Sequence, residues 1–142
     1  MSQLDEVADP DYFDLIIAHF TPKPRADECR IKTVRELDER LAEIITEPML
    51  AIGLGCVAED ANWGHFLLLL NGERSWVHLM EGPCLTARDP SVSGSRTLVS
   101  FQDDAGVSHE IPFEDTISRE QGLRALRYWL PRGEKLPELV WG

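Results

Sequence analysis

His65-Phe-Leu-Leu-Leu-Leu-Asn-Gly-Glu-Arg-Ser-Trp-Val-His-Leu-Met80 is the stretch from which a fold can be built. It reads as two strands meeting at Asn71-Gly72, because both residues tolerate the positive φ that a tight hairpin demands. Residues 66–70 are apolar at every position, the pattern of a strand covered on both faces. The second strand alternates: Trp76, His78 and Met80 share one face, Val77 and Leu79 the other. The stretch dictates a sheet core and carries no chemistry of its own.

Working outward, residues 97–101 and 107–113 predict a second hairpin. Val107, Ile111 and Phe113 alternate with Ser108 and Glu110, and Gly106 is free to take positive φ in the connection. Upstream, residues 49–57 are apolar, interrupted by Gly53 and Gly55, and predict another strand. Residues 12–20 fit a helical face through Phe13, Ile16, Ile17 and Phe20, but the run from 15 to 20 reads better as a strand. Thr21-Pro22-Lys23-Pro24 ends it.

Two helices are signalled by their caps. Thr33-Val34-Arg35-Glu36 is a capping box, and Val34, Leu37, Leu41, Ile44 and Ile45 follow at helical spacing. This predicts a helix over 34–46, stopped by Pro48. Ser118-Arg119-Glu120-Gln121 is a second box, followed by a stripe of Leu123, Leu126 and Leu130 with Trp129 beside it; Pro131 and Gly133 are expected to end that helix. Leu139-Val140-Trp141 predicts a short terminal strand, and residues 1–11 a loose, acidic lead-in. With no repeat or linker, residues 1–142 form one expected α+β domain. Its architecture would be a curled antiparallel sheet of about five to seven strands with two main helices on one side.

The chain has 142 residues and a formal charge of −11. Residues 1–60 hold a balance of −8 and residues 61–142 one of −3. A field of that sign repels nucleic acid and anionic membranes and attracts basic partners; it also serves simple solubility. Cys29, Cys56 and Cys84 are odd in number and lack CxxC spacing, so neither a disulfide framework nor a zinc pattern is expected. No secretory h-region and no apolar run near the ~20 residues of a membrane span occurs. A reducing cytoplasm is the expected setting.

Chemistry is sparse. Gly53-Leu-Gly55 lacks the third glycine or the following Lys that a phosphate loop needs. His19, His65, His78 and His109 have no HxH or HxxxH spacing, so no metal and no cofactor is expected. A dyad of Cys56 or Cys84 with His65 or His78 is open in three dimensions, but nothing local activates a thiol. The carboxylate pairs Glu59-Asp60, Asp103-Asp104 and Glu114-Asp115 fall in polar loops, suited to meeting a cation and unsuited to raising a carboxyl pKa. Trp63 beside Glu59, Asp60 and Asn62 has the composition of an interface anchor, and equally of an aromatic folded onto its own hairpin.

The carboxy-terminal half carries a resemblance. Ile111-Pro112, an acidic stretch, Ile117-Ser118, the segment Ala125-Leu-Arg-Tyr-Trp-Leu130, Gly133-Glu-Lys-Leu-Pro137 and the final Leu139-Val-Trp141 resemble the first-numbered Imm family of bacterial immunity proteins from polymorphic toxin systems. Thr33 opening a helix with Leu37 and Leu41, and the Leu70-Asn-Gly-Glu-Arg74 hairpin, are similar to that family's amino-terminal part. The resemblance spans residues 12–142; the chain departs at its end, where Gly142 follows Trp141. It implies a non-enzymatic antitoxin that binds a secreted toxin, often a nucleic-acid deaminase. No catalytic residues carry over, and toxin-contacting residues vary within such families.

The expected function is therefore a cytoplasmic immunity protein that neutralises a cognate toxin with a basic surface, a deaminase or nuclease, by stoichiometric binding. Glu59, Asp60, Asn62, Trp63, Asp103 and Asp104 are the candidate contacts. The alternatives are a small-molecule-binding or enzymatic domain using the sheet's concave face with His78 or Cys84, and a scaffold subunit of a larger assembly.

Overall fold

The computed structural model describes residues 12–44, 46–57, 64–80, 84–92 and 95–142. Its centre is the hairpin of β4 (His65–Asn71) and β5 (Arg74–Met80), paired from His65 opposite Met80 to Asn71 opposite Arg74. The turn residues are Gly72 and Glu73, one position later than Asn71-Gly72. Gly72 takes φ 57°, and no described non-glycine residue takes positive φ. A two-residue turn that is left-handed only at its first position needs glycine there alone. Asn71 therefore stays in the strand, where its Nδ2 donates to the Ser100 carbonyl at 2.8 Å.

Around this hairpin lie β1 (Tyr12–His19), β2 (Arg25–Ile31), β3 (Met49–Val57), β6 (Cys84–Arg88), β9 (Ile117–Ser118) and β10 (Val140–Trp141). The order is β10-β6-β5-β4-β3-β1-β2, with β9 beside the Arg74 end of β5; every pairing is antiparallel and the sheet is open. β7 (Leu98–Gln102) and β8 (Ser108–Pro112) form a separate hairpin, and α1 (Val34–Ala42) and α2 (Arg119–Arg132) complete the α+β fold. Sequence patterning does not signal β2, β6 or β9. β2 is an edge strand exposed through residues 25–28, so it has no buried face to impose alternation. β9 is two residues long and doubles as the cap of α2.

Both faces of the sheet are covered. On the helix side, Phe13, Leu15, Leu50, Ile52, Leu54, Phe66, Leu68, Val77 and Leu79 pack in one cluster with Leu37 and Leu41 of α1 and Leu126, Trp129 and Leu130 of α2. Trp129 is fully buried, edge-on to Phe13 at 6.0 Å and tilted to Phe66 at 5.6 Å. On the outer side, Ala18, Ala51 and Leu69 pack under Phe101 of β7, with Leu67, Trp76, Val99 and Ile111 around them. This double cover is what the continuous apolar run at 66–70 requires.

α1 ends at Ala42, short of the expected 46. The Glu43 N–H bonds Arg40 O and the Ile44 N–H bonds Leu41 O, three-residue steps that tighten the chain toward β3. Ile44 is still buried, so its apolar spacing reports burial beyond the helix end. Thr33 Oγ1 accepts the Glu36 N–H, but the Glu36 carboxylate accepts from Lys32 N–H, one residue before the cap. The box at Ser118 is complete in both directions. Pro131 lies inside the last turn of α2 rather than ending it; Gly133, at φ 67°, closes the helix through its N–H to Trp129 O at 2.7 Å.

Candidate functional site

The β7–β8 hairpin lies across the outer face near Leu69 and Trp76. Beyond it His65, Leu67 and His78 are half-buried and Met80 is exposed. Asp103 and Asp104 sit in its turn. Asp103 Oδ1 accepts the N–H groups of Ala105 and Val107, each at 2.9 Å, and His109 Nε2–H donates to Oδ2 at 2.9 Å. The His109 bond foremost, with the two backbone N–H groups, holds the Asp103 carboxyl below the usual carboxylate range against some desolvation. Asp104, the next residue, is exposed.

Trp76 is flanked by two imidazoles: His78 stacks on it at 5.4 Å and 23°, and His109 tilts against it at 5.3 Å. His65 lies over the two strand glycines. A Cβ at Gly53 would stand 3.3 Å from His65 Nε2, and one at Gly55 3.1 Å from Nδ1. The isolated Gly-x-Gly thus makes room for a ring, as a close approach to a strand demands. Burial pushes the His65 pKa below its ordinary value, and Asp104 pulls it back up. The structure therefore gathers Asp103, Asp104, His65, His78, His109 and Trp76 on one side of the sheet. Glu59, Asp60, Asn62 and Trp63 lie outside the described residues.

A second cluster carries no sequence signal. His19 is 3% exposed, with Nδ1 at 2.9 and 3.0 Å from the two Glu47 oxygens and Nε2 at 3.1 Å from Asp27 Oδ2. It borders a cavity of about 300 Å³ lined also by Cys29, Arg40 and Glu43. Both nitrogens are engaged by carboxylates, so this ring fastens β2 and the α1–β3 connection to β1. Its partners come from 8 and 28 residues away.

The chemical capacity of these groups is limited. On the outer face Met80 stands between its partners His65 and Cys84. Two strand spacings of about 4.8 Å separate those two, too far for proton transfer. Cys84 is diagonal to His78, at about 7–8 Å, likewise beyond hydrogen-bond reach. Among the described residues, no group of three or more His, Cys, Asp or Glu could hold a metal ion, and no helix is long and apolar enough to cross a membrane. A cavity of about 460 Å³ is lined by Glu47, Pro48, Gly72 and Arg119. Its guanidinium donates to Glu47 O at 2.6 Å and to Pro48 O and Gly72 O at 3.2 Å each, which is a structural use.

The surface is the more distinctive feature. None of the described Asp or Glu residues is buried. Several arginines pair with acids on the protein's own surface, among them Arg127 with Asp38, Arg124 with Glu138, Arg96 with Glu114 and Arg88 with Asp115. Among the described residues, therefore, no carboxylate is withdrawn from solvent. Comparison of the chain with protein-family models and with curated proteins finds no match.

Proposed function

We propose that this chain is an immunity protein, which binds and neutralises a cognate secreted bacterial toxin, a nucleic-acid deaminase or nuclease, in a stoichiometric complex in the cytoplasm. The observation that carries the reading is a charge of −11 whose described carboxylates all reach solvent. An enzyme acting on nucleic acid must present a basic groove, and an acidic protein competes for it. Steering of opposite charges raises association rates up to ~10⁸–10⁹ M⁻¹s⁻¹. Retention then rests on a few buried anchors, for which Trp63 is the candidate. The likeness of residues 111–141 to the Imm pattern supports the same reading.

Asp104 and the acids Glu59 and Asp60 are the proposed steering groups, and Asn62 and Asp103 are further proposed contacts. The Asp104 charge opposes the lowering of the His65 pKa, so Asp104 lies within electrostatic reach of the first residue of β4.

The test is direct inhibition of the toxin encoded beside this chain. Protection at a one-to-one ratio is expected. Glu59→Lys with Asp60→Lys should slow association and flatten its salt dependence. A chain that leaves every neighbouring toxin fully active ends this reading. The stack of His78 on Trp76 favours a second one, a small-molecule site on the outer face; a metabolite retained through purification, or turnover, would support it instead.

A further inference from the structure

β2 ends the sheet, with β1 as its one strand neighbour among the described residues. Residues 25–28 and Arg30 are exposed, and Cys29 is half-buried. One side of this seven-residue backbone faces away from the sheet. Such an edge is a template for another strand, and its charges determine which strand fits.

We propose that β2 pairs antiparallel with β2 of a second copy of this chain, across a twofold axis at Cys29, joining two sheets into one. This inference is independent of the toxin reading. Copies joined by antiparallel strands are related by an axis perpendicular to the sheet, so both keep the same face toward the same side. Directly opposed residues share a face, and faces alternate along a strand. The axis must therefore pass through a residue, not between two.

That restriction leaves few registers. Centred on Arg25, Asp27, Glu28 or Arg30, the pairing sets that charge against its own copy. Centred on Ile31, it sets Arg30 against Lys32; centred on Ala26, it overlaps β2 only over residues 25–27. Centred on Cys29, Glu28 opposes Arg30 of the partner subunit and Arg30 opposes the partner's Glu28. Ala26 then meets Lys32, Asp27 meets Ile31, and Cys29 meets itself, with no like charges opposed. Glu28 and Arg30 share the outer face, opposite Ile16 and Asp14 of β1. Arg30 lies 3.6 Å from Asp14 and is 68% exposed.

Sedimentation across a concentration series tests the proposal. A monomer–dimer equilibrium is expected for the unsubstituted chain. Glu28→Arg alone and Arg30→Glu alone should each weaken dimerisation at least about tenfold, since each turns two attractive cross-strand pairs into repulsive ones. Mixing the two variants should restore association as a heterodimer, because both junctions regain opposite charges. In a Cys56→Ser, Cys84→Ser background, diamide should link two copies through Cys29: two thiols become one S–S bond, and diamide takes up the two electrons and two protons. Cys29→Ser should abolish the link. A chain that stays monomeric throughout, a dimer indifferent to both charge reversals, or a mixture that fails to associate would overturn the proposal.

Discussion

Gly122 of α2 lies against Ser75 of β5 with no room for a side chain between them. A Cβ at Gly122 would fall 2.7 Å from Leu68 Cδ1 and 2.9 Å from Ser75 Cβ, and would overlap Ser75 Oγ. That hydroxyl is buried and donates to Ser118 O at 2.8 Å, so it cannot simply turn away. Alanine is the better helix former by about 1 kcal/mol, yet Gly122→Ala should destabilise the protein by about 1–3 kcal/mol through overpacking. Urea unfolding measures it, and a gain in stability would refute this seating of α2.

Arg119 ties three segments together. Besides its three carbonyl partners on Glu47, Pro48 and Gly72, its backbone N–H donates to Glu73 O at 2.7 Å. Burial lowers the guanidinium pKa, opposed by Glu73, but an arginine stays charged throughout the working pH range. Arg119→Met should cost about 2 kcal/mol, since charged hydrogen bonds are lost and carbonyls are left without them. Arg119→Lys should recover only part, because one ammonium cannot span the fork of positions. Equal unfolding midpoints for wild type and Arg119→Met would contradict this.

The His65 environment predicts a pH effect with a definite sign. Its folded-state pKa is lowered, by burial first, while Asp104 opposes the shift. Above the unfolded value of about 6.5 both states are neutral and nothing is lost. As pH falls through that value the unfolded chain takes the proton first, and stability declines until the folded ring also protonates. Imidazole C–H titration by NMR should place His65 below the ordinary histidine range, and Asp104→Asn should lower it further. An upward shift in that variant would remove Asp104 from the ring's surroundings.

Asp103 predicts a dependence of the same sign in a more acidic window. Its folded pKa is depressed, so its contribution is present above the unfolded carboxylate value and is lost as pH falls through the folded one. Asp103→Ala removes acceptors for Ala105 and Val107 and the partner of His109. The expected cost is about 1–2 kcal/mol, with faster amide exchange at Ala105 and Val107. The same variant would also disturb the proposed toxin contact through the turn. Asp104→Lys is therefore the cleaner probe of a steering charge, and should slow association with the turn intact.

Much of the frame is legible in order along the chain. Residues 66–70 announce a doubly covered strand, Gly106 a turn at φ 82°, and Ser118 to Gln121 a cap that forms as written. β2 is not legible, because an exposed edge strand imposes no hydrophobic period. Asp103 and Asp104 carry the same side chain at adjacent positions, yet one is spent on its own turn and the other faces solvent; backbone direction separates them. Gly122 resembles a weak point in a helix until Ser75 is placed beneath it.

The sequence by itself determined the α+β class, the caps, the two hairpins and the acidic charge, all properties written within a few residues or in composition. Only the tertiary structure decided that His19 sits between Asp27 and Glu47, that His65 rests on Gly53 and Gly55, and that α2 presses on Ser75. Periodicity and capping act over a turn or two of chain. Those partnerships arise from strand register and helix docking, which bring together residues that no local pattern connects.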